Sequence, residues 1–431
     1  MPPSPARGPS VTVPLAYLAA ASLAFALAAM AVPWLAPELA GHYYQPRILA
    51  LAHSVTLGWI TLSIMGASYQ IVPIVLDRRL WSERLAWWQF ALMLVGVIGM
   101  VGHFWLGSWP GLVWAAGIVA LAVAAHVLNV ALTIRGIARW TFTARLVVLA
   151  LGGLVLTTLA GFILGLDKLR GDLPGDLFAS LHAHVHLAVL GWVLPMVAGV
   201  AARVYPMFLL AREPDGWPER LQLWGLALGV PATVIGIATD HWLLLPGALA
   251  VAAVVTGHLV WIAGMLRSRK RPALDVGIRL AVVGAAALIP ATALGLALAS
   301  GLVGGPRVAA AYMTLVLGGW ASLTIAGMLL KIVPFLVWYR AYAGRVGREP
   351  VPALADLSWY AGERMAALLL TLGVAALAVA VWLGDVTAIR AAGAVLAAGA
   401  LSLTATLVRI LRHLRTPARP AAAASPAMRS I

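Results

Sequence analysis

The sequence predicts an all-α polytopic membrane protein of about twelve transmembrane helices, and three observations carry that fold class. Of 431 residues, 62% are hydrophobic and 10% charged, with a mean hydropathy of +0.94. Water-soluble domains do not have this composition. Apolar runs recur along nearly the whole chain, each near or above the roughly 20 residues that a helix needs to cross a bilayer. Arginines gather in alternate connections between those runs.

In chain order, the apolar runs and their breakers place the first six spans near Val11–Ala36, Arg47–Leu76, Ala86–Leu106, Gly111–Ile134, Arg145–Gly165 and Leu177–Leu210. The next six fall near Leu221–Ala238, Leu243–Leu266, Ile278–Ala299, Val308–Trp338, Glu363–Leu383 and Ala388–Leu414. This is one transmembrane domain over 11–414, followed by an Ala- and Pro-rich tail (415–431) expected to be disordered. The first apolar run is too long for a cleavable signal and lacks a convincing cleavage site.

Orientation follows from arginine. The even-numbered connections carry Arg78, Arg79 and Arg84, then Arg135 and Arg139, then Arg212 and Arg220, then Arg267, Arg269, Lys270 and Arg271, then Arg340, Arg345 and Arg348. The positive-inside rule then puts both termini in the cytoplasm, in a cytoplasmic (inner) membrane. The formal charge of +15 is explained by these helix ends, so no nucleic-acid partner is called for. Cysteine is absent, which excludes disulfides, thiolate metal sites, iron–sulfur clusters and thioether-attached haem.

A register recurs three times. The second span reads His53-x-x-x-Leu57-Gly58-Trp59, then Gly66, Gln70 and Pro73. The sixth reads His186-x-x-x-Leu190-Gly191-Trp192, then Gly199, Arg203 and Pro206. The tenth reads Thr314-x-x-x-Gly318-Gly319-Trp320, then Gly327, Lys331 and Pro334. Glu83-Arg84, Glu219-Arg220 and Glu363-Arg364 open the third, seventh and eleventh spans, and His126, His258 and Thr406 recur in the fourth, eighth and twelfth. The expected unit is four helices used three times, over about 11–134, 145–266 and 278–414. Most of these residues read as structural. The glycines let helices approach and the prolines kink or end them. The acids suit a helix start, the tryptophans pack, and His126 and His258 are expected to hydrogen-bond inside the bundle.

The sixth span also holds the only histidine cluster, His182-Ala-His184-Val-His186. An ionisable group inside a membrane segment usually faces a cavity, a partner or a cofactor. Helical spacing puts His182 and His186 on one face, a turn apart, able to share a metal or haem environment, and turns His184 away.

Twelve spans, three four-helix arcs, and histidines in the second and sixth spans resemble subunit I of the haem–copper oxidase superfamily, in its cbb3-type and nitric-oxide-reductase-like branch. The motifs that carry the likeness are His53-Ser-Val-Thr-Leu-Gly-Trp59, His182-Ala-His-Val-His186 and Lys331-Ile-Val-Pro-Phe335. The resemblance implies a haem ligand at His53 and a copper-ligand position in the sixth span, best matched by His186. Met313, beside the place where the register would put a tenth-span histidine, is a candidate thioether ligand. The departures are that Arg220 to Thr239 lacks the family's seventh-span histidine pair and Val308 to Trp338 lacks its tenth-span His-x-His. The full binuclear centre therefore cannot be assembled in the family's way. A second, less closely matched resemblance is to NnrS-type haem and copper membrane proteins linked to nitric oxide tolerance.

The expected function is thus a haem-binding membrane protein in respiratory electron transfer or nitric oxide and oxygen handling. It would hold a b-type haem at His53, His186 and Met313, with copper at His182, His184 and His186 as an addition. If an enzyme, it would be an oxidoreductase. Electrons would come from a quinol or a separate cytochrome, with other respiratory subunits as partners. A transporter with a polar path through His182, His186, Gln70, Arg203 and Lys331 is the alternative, as is a cofactor-free assembly partner. Lys331 and Arg203 also read simply as snorkelling to the cytoplasmic interface.

Overall fold

The computed structural model describes residues 10–212 and 216–415, so nearly all of the tail expected to be disordered lies outside the described residues. Among the described residues every regular element is helical. Twelve helices are long and apolar enough to cross a membrane: Thr12–Ala31, Pro46–Val75, Glu83–Leu106, Trp109–Ile134, Phe142–Arg170, Leu177–Leu209, Trp217–Thr239, Leu244–Ser268, Val276–Ala299, Pro306–Arg345, Tyr360–Leu383 and Val386–Leu414. They fall in the order that hydropathy predicts.

Local chemistry explains the ends. Thr141 and Asp275 cap the fifth and ninth spans by accepting from the backbone N–H groups of Ala144 and Ile278. Gly107, Gly171 and Gly384 close the third, fifth and eleventh spans in the left-handed conformation. The fifth span runs past the expected Gly165 because its charged end stays helical. Lys168 there places its ammonium over the rings of Tyr44 and Trp109, at 4.2 and 4.7 Å.

The third and fourth, seventh and eighth, and eleventh and twelfth spans form the most extensive pairs. The fourth also packs on the fifth, the eighth on the ninth, and the twelfth on the first, which closes the bundle. The second, sixth and tenth spans run inside it. Each carries its register proline, Pro73, Pro206 or Pro334, within the helix. Register glycines set the inner-to-outer spacing: a Cβ on Gly66 would meet Tyr17 at 2.5 Å, one on Gly199 Leu146 at 3.0 Å, and one on Gly327 the Gly277 carbonyl at 2.4 Å. Those contacts lie on the first, fifth and ninth spans. Outward, Trp34, Trp114, Trp224 and Trp242 are more than half exposed, as lipid-facing side chains are.

Three segments of the inner spans are π-helical: Ser54–Thr61, Leu187–Val193 and Thr314–Ser322. Each follows directly on a histidine or methionine of the expected site, His53, His186 or Met313. The three tryptophans lie in these segments, almost fully buried. Trp59 Nε1 donates to Ser322 Oγ at 3.0 Å and Trp192 Nε1 to Thr61 Oγ1 at 3.3 Å. Both acceptors stand two residues after a register tryptophan. The corresponding residue on the sixth span is Leu194, which has no side-chain oxygen.

The histidines of the outer spans part company with each other. His258 is hydrogen-bonded as expected, through Nδ1 to Gln222 Oε1 at 3.0 Å. His126 is fully buried with neither ring nitrogen bonded. Its ring stands edge-on to Tyr69 and Trp192, at 5.1 and 6.3 Å. The Tyr69 hydroxyl is bonded to Gln89 Oε1 and not to this imidazole, which packs as an aromatic.

Candidate cofactor site

The inner spans surround a cavity of about 1170 Å³, above the roughly 300–1,000 Å³ of ordinary ligand clefts. Its lining is overwhelmingly aliphatic and aromatic. His53, His182, His184, His186, Tyr312 and Met313 all reach it, so the expected site residues do share one space.

His53 and His186 are held alike. His53 Nδ1 lies 2.7 Å from the Leu49 carbonyl, and His186 Nδ1 lies 2.8 Å from the His182 carbonyl. A carbonyl only accepts, so Nδ1 carries the proton in both rings and the lone pair stands on Nε2. This is the arrangement that orients a metal-ligating imidazole. Each ring is also stacked: His53 on Phe104 of the third span at 4.7 Å and 24°, and His186 on Tyr312 of the tenth at 5.9 Å and 19°. Thr314, third in the register, likewise donates to the carbonyl four residues back, Ala310 O, at 2.8 Å. Its one proton is used there, and its side chain is too short to present a ligand atom.

The sixth-span trio does not gather into a metal site. Among the described residues no three His, Asp or Glu side chains converge on a point where an ion could sit. His182 and His186 do share a face, but His182 Nε2 is taken by the Tyr43 hydroxyl at 2.6 Å. Tyr43 lies in the connection before the second span, against the ring of Phe178 and near the charge of Asp176, both at the start of the sixth span. Burial, then that charge, raise its phenol above the ordinary tyrosine value, so it stays protonated toward His182. His184 points to the fifth span, at Gly161, with Nδ1 buried and without a hydrogen bond. A three-histidine copper site at His182, His184 and His186 therefore does not fit. The sites on offer have one or two imidazoles.

Lys331 is no free cation on a polar path. Its ammonium is paired with Asp275 at 2.5 Å, at the start of the ninth span. Tyr43, Phe104 and Tyr312 complete the site and were not singled out in the sequence. Only Tyr312 left a signal there: it precedes Thr314 by two residues, as His184 precedes His186.

No protein-family model matches the sequence, and no curated protein does. Among solved structures the chain is similar to a haem–copper terminal oxidase seen as a dimer by cryo-electron microscopy. The TM-score is 0.64 at 13% identity, over 93% of this chain and 84% of that one. At this identity the likeness speaks for fold alone, and the protein is a multi-pass membrane protein with a haem–copper oxidase-like fold.

Proposed function

We propose that the protein binds b-type haem within this cavity and serves respiratory electron transfer or the handling of oxygen or nitric oxide. The observation that carries the reading is the pair of register-equivalent imidazoles, His53 and His186. Each gives its Nδ1 proton to its own helix backbone and leaves an Nε2 lone pair as ligand. Neutral imidazole suits haem iron. The apolar lining suits a porphyrin face, and the cavity has the volume for it. A bound haem supplies one-electron chemistry and, where an axial position stays open, a place for a diatomic gas.

The chain's own part is to fix the imidazoles, through Phe104, Tyr312 and the two backbone carbonyls, and to keep water out with aliphatic walls. Met313 reaches the cavity and stands as a further candidate ligand. The sequence holds no cysteine for thioether-attached haem, and in this reading electrons come from a quinol or a separate cytochrome. In this reading the protein lies in the cytoplasmic membrane, both termini inside, with its arginine-rich connections on the cytoplasmic face. The three recurrences of the register would be three four-helix arcs of one ancestral unit.

The test is the oxidised and dithionite-reduced spectrum of the detergent-purified protein, with pyridine haemochrome and metal analysis on the same sample. A Soret band with a reduced b-type α-band, lost in His53→Ala, is expected. A colourless protein from haem-sufficient cells would overturn the proposal and leave the cofactor-free partner.

A further inference from the structure

We propose that His53 and His184 are the two axial ligands of one haem, held between the second and sixth spans, so that its iron is six-coordinate and closed to gases. This rests on the haem reading above and names the ligand opposite His53.

The argument starts from one spacing used twice. Across the interface between the sixth and tenth spans, His186 meets Tyr312, which stands two residues before the register position of the tenth span. Across the interface between the second and sixth, the same relation joins His53 to the residue two before the register position of the sixth span, His184. Both imidazoles line the same cavity. Applied once more, the relation joins Thr314 to Leu51, which offers no ligand. The spacing thus produces a His/His, a His/Tyr and a Thr/Leu pair, and only the first has two nitrogens suited to iron.

Of the four histidines that line the cavity, His184 is the one whose ring no hydrogen bond fixes. Its Nδ1 is turned toward the Thr157 backbone on the adjoining fifth span but is buried without reaching hydrogen-bond geometry, and Thr157 Oγ1 is unbonded too. A polar group without a partner inside a membrane is costly. Unlike His53, His182 and His186, whose rings are each fixed by a hydrogen bond, this ring is not, and an iron bond would supply that anchor. The fifth span makes room for it. A Cβ on Gly161 would come within 2.9 Å of His184 Cε1, so the ring can lie against that helix only because residue 161 is glycine. Gly295 does the same for Tyr312, at 3.1 Å from Cε2.

The experiment compares the full-length protein with His184→Ala, His184→Met and Met313→Ala by electron paramagnetic resonance of the ferric form and by the carbon monoxide response of the reduced form. The wild type is expected to be low-spin and inert to carbon monoxide. His184→Ala should become high-spin and bind carbon monoxide at near one equivalent per haem. His184→Met should stay low-spin with shifted g-values, which covers the case in which the alanine variant fails to fold. A Met313→Ala protein that turns high-spin while His184→Ala stays low-spin would name Met313 as the ligand and overturn this assignment. A low-spin, carbon-monoxide-inert His184→Ala protein would overturn this assignment while leaving haem binding intact. A wild type that holds no haem would overturn both.

Discussion

Ser322→Ala tests whether the tryptophan contacts at the centre of the bundle hold the inner spans together. Ser322 Oγ accepts from Trp59 Nε1 at 3.0 Å and donates to Leu317 O at 2.6 Å, five residues back along the π-helical turn. Serine and indole are both at most 1% exposed, so no water reaches the orphaned N–H. Stranding one buried donor costs about 1–3 kcal/mol, and a membrane interior puts the expected loss in the upper half of that range. Thr61→Val breaks the longer Trp192 bond of 3.3 Å and should cost less, below about 1.5 kcal/mol. In a Trp59→Phe background the indole donor is gone, and Ser322→Ala should lose most of its effect. The coupling energy is then roughly 1–2 kcal/mol. Thermal unfolding in mild detergent, followed by far-UV circular dichroism, reads all of these proteins. A cost for Ser322→Ala that is as large in the Trp59→Phe background as in the wild type would refute the reasoning, because the loss would then belong to the π-turn alone.

Two further outcomes follow from packing and from charge. Gly327→Ala would put a Cβ 2.4 Å from the Gly277 carbonyl and 2.7 Å from the Ala281 nitrogen, both backbone atoms. It should destabilise by about 1–3 kcal/mol, whereas Gly264→Ala, with nothing within 4 Å, should be neutral or gain up to about 1 kcal/mol. Equal melting temperatures for the two variants would show that the tenth and ninth spans are not in backbone contact. For Tyr43, the folded state holds the phenolic proton to higher pH than the unfolded chain. Its contribution is therefore complete below the ordinary tyrosine pKa of about 10 and disappears as pH rises through the folded value. A Tyr43→Phe variant should lose this alkaline decline, seen as a flatter melting temperature above about pH 10. An unchanged decline would place the titration elsewhere.

The bundle was legible because long apolar runs and their arginine borders state it directly, and no tertiary contact is needed to read them. His53 and His186 were legible by register, since one offset from a tryptophan names both. The π-helical segments were not: SVTLGWIT and LAVLGWV hold only apolar residues, glycine and small hydroxyl residues, so a turn of 3.6 residues and a wider one leave the same pattern. Nor was the fate of His182, which depends on a hydroxyl 139 residues away in a connection with no periodicity. The helical wheel rightly put His182 beside His186. What it lacked was Tyr43. For Lys331 the register named a polar position, while its neutralising partner Asp275 doubles as a helix cap and gave no separate sign of pairing.

The same geometry explains how one frame can yield unlike sites. In each inner span a side chain at the register position bonds back to the carbonyl four residues earlier, and on the tenth span the side chain two residues before it, Tyr312, faces His186 of the sixth. The backbone hydrogen bond persists whether the residue is histidine or threonine. Exchanging imidazole for hydroxyl therefore removes a ligand without disturbing the helix, and exchanging His184 for Tyr312 at the second position changes the partner from nitrogen to phenol. Such substitutions alter what a site can hold while leaving the bundle's tryptophans and close-approach glycines in place. A haem–copper oxidase-like fold is then compatible with seventh and tenth spans that carry no histidine. The haem proposed here is to be sought at His53, His184 and His186.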